Sequence, residues 1–182
     1  MKKVIIWKGL HYQSMEYCDI NIDNEQLEVA STILGVHEGK EYKVDYVIIA
    51  NPNWEVVSCR VEIRLGAGID IQKFKHDGEG NWTKNGKTID EYKGCMDIDI
   101  SVTPFTNALP INRLQLQANE VRQIRVLYVD VLGQAIKSVV QQYTKISDHE
   151  YQYANVPNDF EAVITVDKLG LVTEYPGLFT RL

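Results

Sequence analysis

The sequence predicts an all-β protein built from antiparallel strands, arranged as a sheet, a sandwich or a barrel. Valine and isoleucine outnumber leucine and alanine, and there are ten tyrosines, a composition that favours pleated sheet. Apolar and polar residues alternate strictly, as along Val57 to Leu65, and such a period of two does not fit a helix. Asn85-Gly86 between two short polar-apolar runs is a strong hairpin signal.

Strand starts follow one another at nearly even spacing from the first residues to the last. After merging of neighbouring segments, we expect ten or eleven strands. The candidate starts lie near Val4, Tyr17, Leu27, Tyr42, Glu55, Ile69, Asn81, Cys95, Leu114, Val121, Ala135, Tyr151, Phe160 and Leu171.

Two segments need separate treatment. Residues 132–143 carry a stripe that fits a helix almost as well as a strand, but β-branched Ile136, Val139 and Val140 favour a strand. The stretch from Thr103 to Pro110 contains two prolines and no periodicity, so it is predicted to be an ordered loop.

Length and charge bound the class of protein. The 182 residues, without linker or repeat, predict one domain over residues 1–182. A net charge of −6 argues against nucleic acid and anionic membranes as partners. The apolar run after Lys3 is too short for a signal peptide and no stretch reaches a membrane span, so we expect a cytoplasmic protein without stable membrane insertion. The sequence leaves the oligomeric state open.

Three polar groups could carry chemistry. Asp97 and Asp99 leave the same face of a predicted strand and could act as paired carboxylates or hold a divalent cation, although a solvated or structural face is the commoner explanation. Arg60 could grip an anion or sugar hydroxyls, or line a wet sheet face. Glu16 shares a strand face with Cys18, but no histidine is placed to activate that thiol.

Aromatic residues are plentiful and could stack on sugar rings or line an apolar pocket, while packing is the default role of each one. No phosphate-binding loop, dinucleotide fingerprint or other cofactor motif is present, so no cofactor is expected. The candidates are Trp7, Trp54, Trp82, Tyr46, Tyr128, Tyr143, Tyr151 and Tyr153.

One long run of motifs stands out between the predicted hairpin and residue 110. It reads Gly94-Cys95-x-Asp97-x-Asp99, then Thr103-Pro104, Thr106-Asn107 and Leu109-Pro110. This run resembles the signature of a bacterial glycolipid-binding family. Other parts of that family are resembled by Trp7 with Glu16 and Cys18, by Trp54 with Arg60, and by the chain end from Val166 to Arg181, with Phe179 where tryptophan is usual.

The resemblance implies a strongly curved antiparallel sheet that forms an incomplete β-barrel with few or no helices, similar to lipoprotein-localisation factors. It also implies binding of a lipid or glycolipid in the concave face, without catalysis, and the residues 103–110 could serve as a lid. The predicted ligand-binding residues are Trp7, Glu16, Trp54, Arg60, Trp82, Asp97, Asp99, Tyr128 and Tyr143.

Two other functions stay open on the sequence. A hydrolase or transferase acting on a sugar or lipid conjugate would use Asp97, Asp99 and Glu16 as acid and base. A structural or partner-binding domain would use the same residues only to hold its loops and core.

Overall fold

All strands belong to one sheet in the computed structural model, which describes residues 1–182. The spatial order is β8-β7-β6-β5-β4-β3-β2-β1-β15-β14-β13-β12-β11-β10-β9, and every neighbouring pair is antiparallel except β9 with β10. The strands are β1 (Lys2–Gly9), β2 (Ser14–Ile22), β3 (Leu27–His37), β4 (Lys40–Ala50), β5 (Val56–Leu65), β6 (Gly68–His76), β7 (Trp82–Lys84), β8 (Lys87–Thr88), β9 (Asp97–Ile100), β10 (Val121–Asp130), β11 (Ala135–Ser147), β12 (Glu150–Val156), β13 (Glu161–Val166), β14 (Val172–Tyr175) and β15 (Phe179–Arg181).

The sheet is strongly curved and does not close, which confirms the predicted incomplete barrel. Alternation along β2 shows why the concave face is apolar. Cys18 and Ile20 are buried on that face, whereas Tyr17 and Asp19 are exposed on the other. The first and last strands pair in the middle of the sheet, with Trp7 opposite Arg181. Fifteen strands form where ten or eleven were expected, because several are only two to four residues long.

The hairpin at Asn85-Gly86 is confirmed, and both residues have positive φ, at 50° and 83°. Residues 132–143 contribute to β11, as the β-branched residues predicted. No helix in the structure is long and apolar enough to span a membrane.

The predicted loop from Thr103 to Pro110 is wrong, and so is the predicted strand near Leu114. A 3-10 turn covers Phe105–Asn107 and helix α1 covers Ala108–Leu114. Pro110 is the third residue of α1, where a backbone N–H would have no acceptor inside the helix, so the proline costs no hydrogen bond.

We call residues 103–114 the plug. Phe105, Ala108 and Leu109 are fully buried and belong to the main hydrophobic cluster, together with inward-facing residues of β1 to β6. The plug therefore fills the part of the concave face formed by the N-terminal strands. Opposite it, the C-terminal strands carry a separate cluster of 12 buried residues that includes Tyr143, Tyr153 and Tyr175.

Candidate functional site

A cavity of about 660 Å³ lies between the plug and the concave face of the C-terminal strands. Its volume falls in the range of sites for one small molecule, roughly 300–1,000 Å³. Four parts of the chain line it: β9 and the plug (Asp99, Ile100, Ser101, Thr103, Asn107), β10 to β12 (Tyr128, Lys137, Val139, Val140, Gln141, Tyr153, Asn155), the segments around β13 and β15 (Val156, Pro157, Phe160, Tyr175, Leu178, Phe179) and the β1–β2 turn (His11, Tyr12).

The register of the strands explains how residues far apart in sequence face this space. Tyr128 of β10 stands opposite Lys137 of β11, and Gln141 stands opposite Asn155 of β12. Residues directly opposite on antiparallel strands share a face, so these side chains line the same wall.

Polarity changes with depth in the cavity. Thr103 and Asn107 of the plug and Gln141 of β11 are the buried polar residues of the lining, and they mark its deep end. Val156 and Phe160 are exposed apolar residues at the mouth. The cavity thus has a polar floor and a largely apolar rim.

Asp99 is the carboxylate on that floor. One of its oxygens accepts a hydrogen bond from the Thr106 hydroxyl at 2.8 Å, and the other accepts one from the Gln141 amide at 2.6 Å. Burial raises the pKa of Asp99, while these two hydrogen bonds lower it. Each carboxylate oxygen keeps further acceptor capacity towards the cavity.

Tyrosine side chains surround Asp99. Burial, and next the charge of Asp99, raise the pKa of Tyr12 to about 12. Burial, and next the charge of Asp99, raise the pKa of Tyr153. The pKa of Tyr175 is raised by burial, then by Tyr153 and then by Asp99. The hydroxyls of Tyr12, Tyr153 and Tyr175 donate to no protein atom and are not sealed off from the cavity, so they can bind groups inside it.

The rings of these tyrosines form a continuous aromatic wall. Tyr12 stacks on Phe179 with ring centroids 5.3 Å apart, and Phe179 packs against Tyr175 at 6.2 Å. Tyr175 in turn meets the edge of Tyr153 at 6.1 Å, and Phe160 contacts both at the mouth. This wall offers flat apolar surface beside phenol hydroxyls.

Glu16 lies behind the floor rather than in the cavity. Its Oε1 accepts hydrogen bonds from Ser31 and Tyr46 at 2.7 Å and from Thr103 at 2.9 Å. Its Oε2 has no partner and is buried. Burial raises the pKa of Glu16 to about 7, against the lowering effect of the three hydroxyls. Glu16 therefore ties the first residue of the plug to β2, β3 and β4.

Asp97 and Tyr143 hold other parts of the plug. Arg113 donates two hydrogen bonds to the carboxylate of Asp97, at 3.0 and 2.7 Å, which fastens the end of α1 to β9. The Tyr143 hydroxyl donates to Oδ1 of Asn107 at 2.9 Å. Neither Asp97 nor Tyr143 lines the cavity.

The three tryptophans lie elsewhere. Trp7 and Trp82 are fully buried, and their indole N–H groups donate to the carbonyls of Val172 and Cys95, each at 2.8 Å. Trp54 is half-buried with φ at 64° and borders a separate pocket of about 300 Å³. A positive φ is uncommon for so large a side chain.

Arg60 forms a salt bridge with Glu62 at 2.7 Å on β5, and it does not line the cavity.

Of the predicted residues, the structure brings Asp99 and Tyr128 together in the cavity. Three more contact the plug beside the cavity without lining it: Glu16, Asp97 and Tyr143. The other four do not line the cavity: Trp7, Trp54, Arg60 and Trp82. Tyr12, Gln141 and Tyr175 are lining residues that the sequence reasoning missed. Tyr12 lies in the β1–β2 turn and Tyr175 ends a short strand, so neither belongs to a long alternating run that assigns it a face.

The fold and the cavity define a half-open β-barrel whose interior is partly filled by a helical segment and partly open as a pocket of small-molecule size. The chain belongs to the Glycolipid_bind family, described as "Putative glycolipid-binding", whose model matches residues 4–181.

A crystal structure of a DUF1089 family protein from Pseudomonas aeruginosa is similar to this fold. The two chains share 32% sequence identity, the match covers 92% of each, and the TM-score is 0.84. Among curated proteins, none matches the chain.

Proposed function

We propose that this protein binds a lipid or glycolipid in the cavity between the plug and the C-terminal strands, without catalysing a reaction on it. The observation that carries the proposal is an open cavity of about 660 Å³ on the concave face of the C-terminal strands, larger than a second pocket of about 400 Å³ between β5–β6 and β10–β11. Membership of a family described as glycolipid-binding supports the same assignment.

The arrangement of the carboxylates favours binding over hydrolysis. A two-carboxylate mechanism needs two carboxyl groups that flank one substrate bond. Asp97 is held by Arg113 and Glu16 is enclosed by three hydroxyls, so of the three candidates only Asp99 faces the cavity.

A cytoplasmic location is part of this proposal. Cys18, Cys59 and Cys95 are all buried and free, which is the usual state of cysteine in a reducing compartment. Detection of the native protein in the soluble cytoplasmic fraction after cell fractionation would test the location.

Filling the cavity tests the binding function. Val139 lies on β11 opposite Val126 and lines the cavity, so Val139→Trp should occupy part of it. Native mass spectrometry of the wild type should show a co-purifying lipid, and the delipidated protein should bind members of a lipid panel. We expect Val139→Trp to lose at least tenfold in affinity.

The matched control is Val163→Trp, because Val163 lies on β13, is exposed and does not line the cavity. It should bind as the wild type does. Wild-type protein that purifies without lipid and ignores the panel, or equal binding by both variants, would contradict the proposed function.

A further inference from the structure

The distribution of polar groups in the cavity suggests which end of a ligand enters it. We propose that the cavity takes a neutral sugar ring at its deep end and leaves the alkyl tail at the mouth. This inference rests on the proposed function and deepens it by assigning the ligand's orientation.

The first argument is the chemistry of the floor. Thr103, Asn107 and Gln141 are buried, and Asp99 keeps acceptor capacity beyond its bonds to Thr106 and Gln141. An alkyl chain pushed to this depth would cover the remaining acceptor sites of the Asp99 carboxylate without giving them a partner, which is unfavourable. A polyol offers hydroxyl donors to the same groups.

The second argument is the set of unpartnered phenols. Tyr153 and Tyr175 are nearly buried, at 9% and 4% exposure, but their hydroxyls donate to no protein atom and stay accessible from the cavity. The Tyr12 hydroxyl is likewise unpaired and close enough to share the field of Asp99. Three convergent phenols beside one carboxylate match the several hydroxyls of a sugar ring, and the aromatic wall can stack on the ring's apolar face.

The third argument concerns charge and the mouth. The carboxylate of Asp99 at the floor disfavours an anionic head group, whereas the Lys137 ammonium lies over the Tyr128 ring at 5.6 Å and is exposed. The apolar side chains of Val156 and Phe160 are exposed where a tail would leave the cavity. The neutral ring therefore fits the floor, and the tail fits the rim.

Calorimetry with three neutral probes separates the two orientations: methyl β-D-glucoside supplies the ring alone, 1-octanol the tail alone, and octyl β-D-glucoside both. Each is titrated into delipidated protein below any micelle concentration. We expect the double variant Tyr153→Phe/Tyr175→Phe to lower the affinity for octyl β-D-glucoside by about tenfold or more. Its affinity for 1-octanol should equal that of the wild type. Tyr17→Phe on the exposed outer face is the matched control and should change neither.

Chain length gives a second readout that does not depend on any variant. A methylene buried deep in the cavity raises affinity about fourfold, so a tail-first ligand would gain about sixteenfold from hexyl to octyl β-D-glucoside and again from octyl to decyl. With the ring inside and the tail at the mouth, we expect each two-carbon step to gain less than about fourfold.

The outcomes distinguish this inference from the function on which it rests. The ring-first orientation is overturned, and lipid binding stands, if three results appear together. 1-Octanol binds as tightly as octyl β-D-glucoside, the double variant leaves the affinity of both probes unchanged, and affinity rises steeply with chain length. If no glucoside binds while lipids of the panel do, the sugar assignment alone fails. If neither the probes nor the panel bind, both fail.

Discussion

The buried side chain of Glu16 shows how one residue couples the wall of the barrel to the plug. Three hydroxyl groups donate to Oε1, and one of them belongs to Thr103 at the start of the plug. Oε2 has no partner, so the ionised carboxylate is poorly solvated at this position. The folded protein therefore favours the protonated form of Glu16.

That preference predicts a pH dependence of stability. The pKa of Glu16 is raised from 4.5 to about 7, so its stabilising contribution is fully present below about pH 4.5 and is lost as the pH rises through 7. Relative to Glu16→Gln, the free energy of unfolding of the wild type should fall by roughly 3 kcal/mol between pH 4.5 and pH 8. Urea denaturation of both proteins across this range measures the difference.

The control for this prediction is Glu28→Gln, because Glu28 lies exposed on the same sheet. Its stability should follow the wild type at every pH. Parallel profiles of Glu16→Gln and the wild type would show that Glu16 titrates alike in the folded and unfolded states.

Single residues also show what the sequence could and could not predict about the site. Alternation placed Asp97 and Asp99 on one face, as the structure has them, but it could not distinguish a carboxylate held by Arg113 from one that faces a cavity. The distinction depends on Gln141, which is 42 residues away from Asp99 in sequence and reaches it because β9 and β11 both pair with β10. Such long-range partners leave no local periodic signal.

At the scale of elements, the strands were predictable and the plug was not. Period-two alternation and the Asn85-Gly86 turn are local signals, and most strands followed from them. The plug carries two prolines, and its short helix is stabilised by burial of Phe105 and Leu109 rather than by a cap or an amphipathic stripe. Tertiary packing therefore decides the conformation of this segment.

The plug's dependence on packing predicts the effect of truncating it. Leu109 is fully buried between the plug and the sheet, so Leu109→Ala should destabilise the protein by about 2–5 kcal/mol. Chemical denaturation measures this change. Leu34→Ala is the matched control, since Leu34 is 56% exposed on β3, and it should stay within about 0.5 kcal/mol of the wild type. Equal effects of the two changes would show that the plug is not part of the core.

At the scale of the whole molecule, the two hydrophobic clusters are joined through the middle of the sheet. β1 pairs with β15, so the first and last strands of the chain stand side by side between the N-terminal and C-terminal halves. The indole of Trp7 in the larger cluster donates to the carbonyl of Val172 in the smaller one. Tyr12 packs against both clusters.

Because the halves share these contacts, neither should persist when the other unfolds, and we propose that residues 1–182 form one cooperative unit. Calorimetry should then show a single transition whose van't Hoff and calorimetric enthalpies agree, and near- and far-ultraviolet circular dichroism should change together. Two resolved transitions would instead assign the clusters to separately folding halves. A bound ligand touches the plug and the C-terminal strands alike, so it should move the single transition upwards as a whole rather than broaden it.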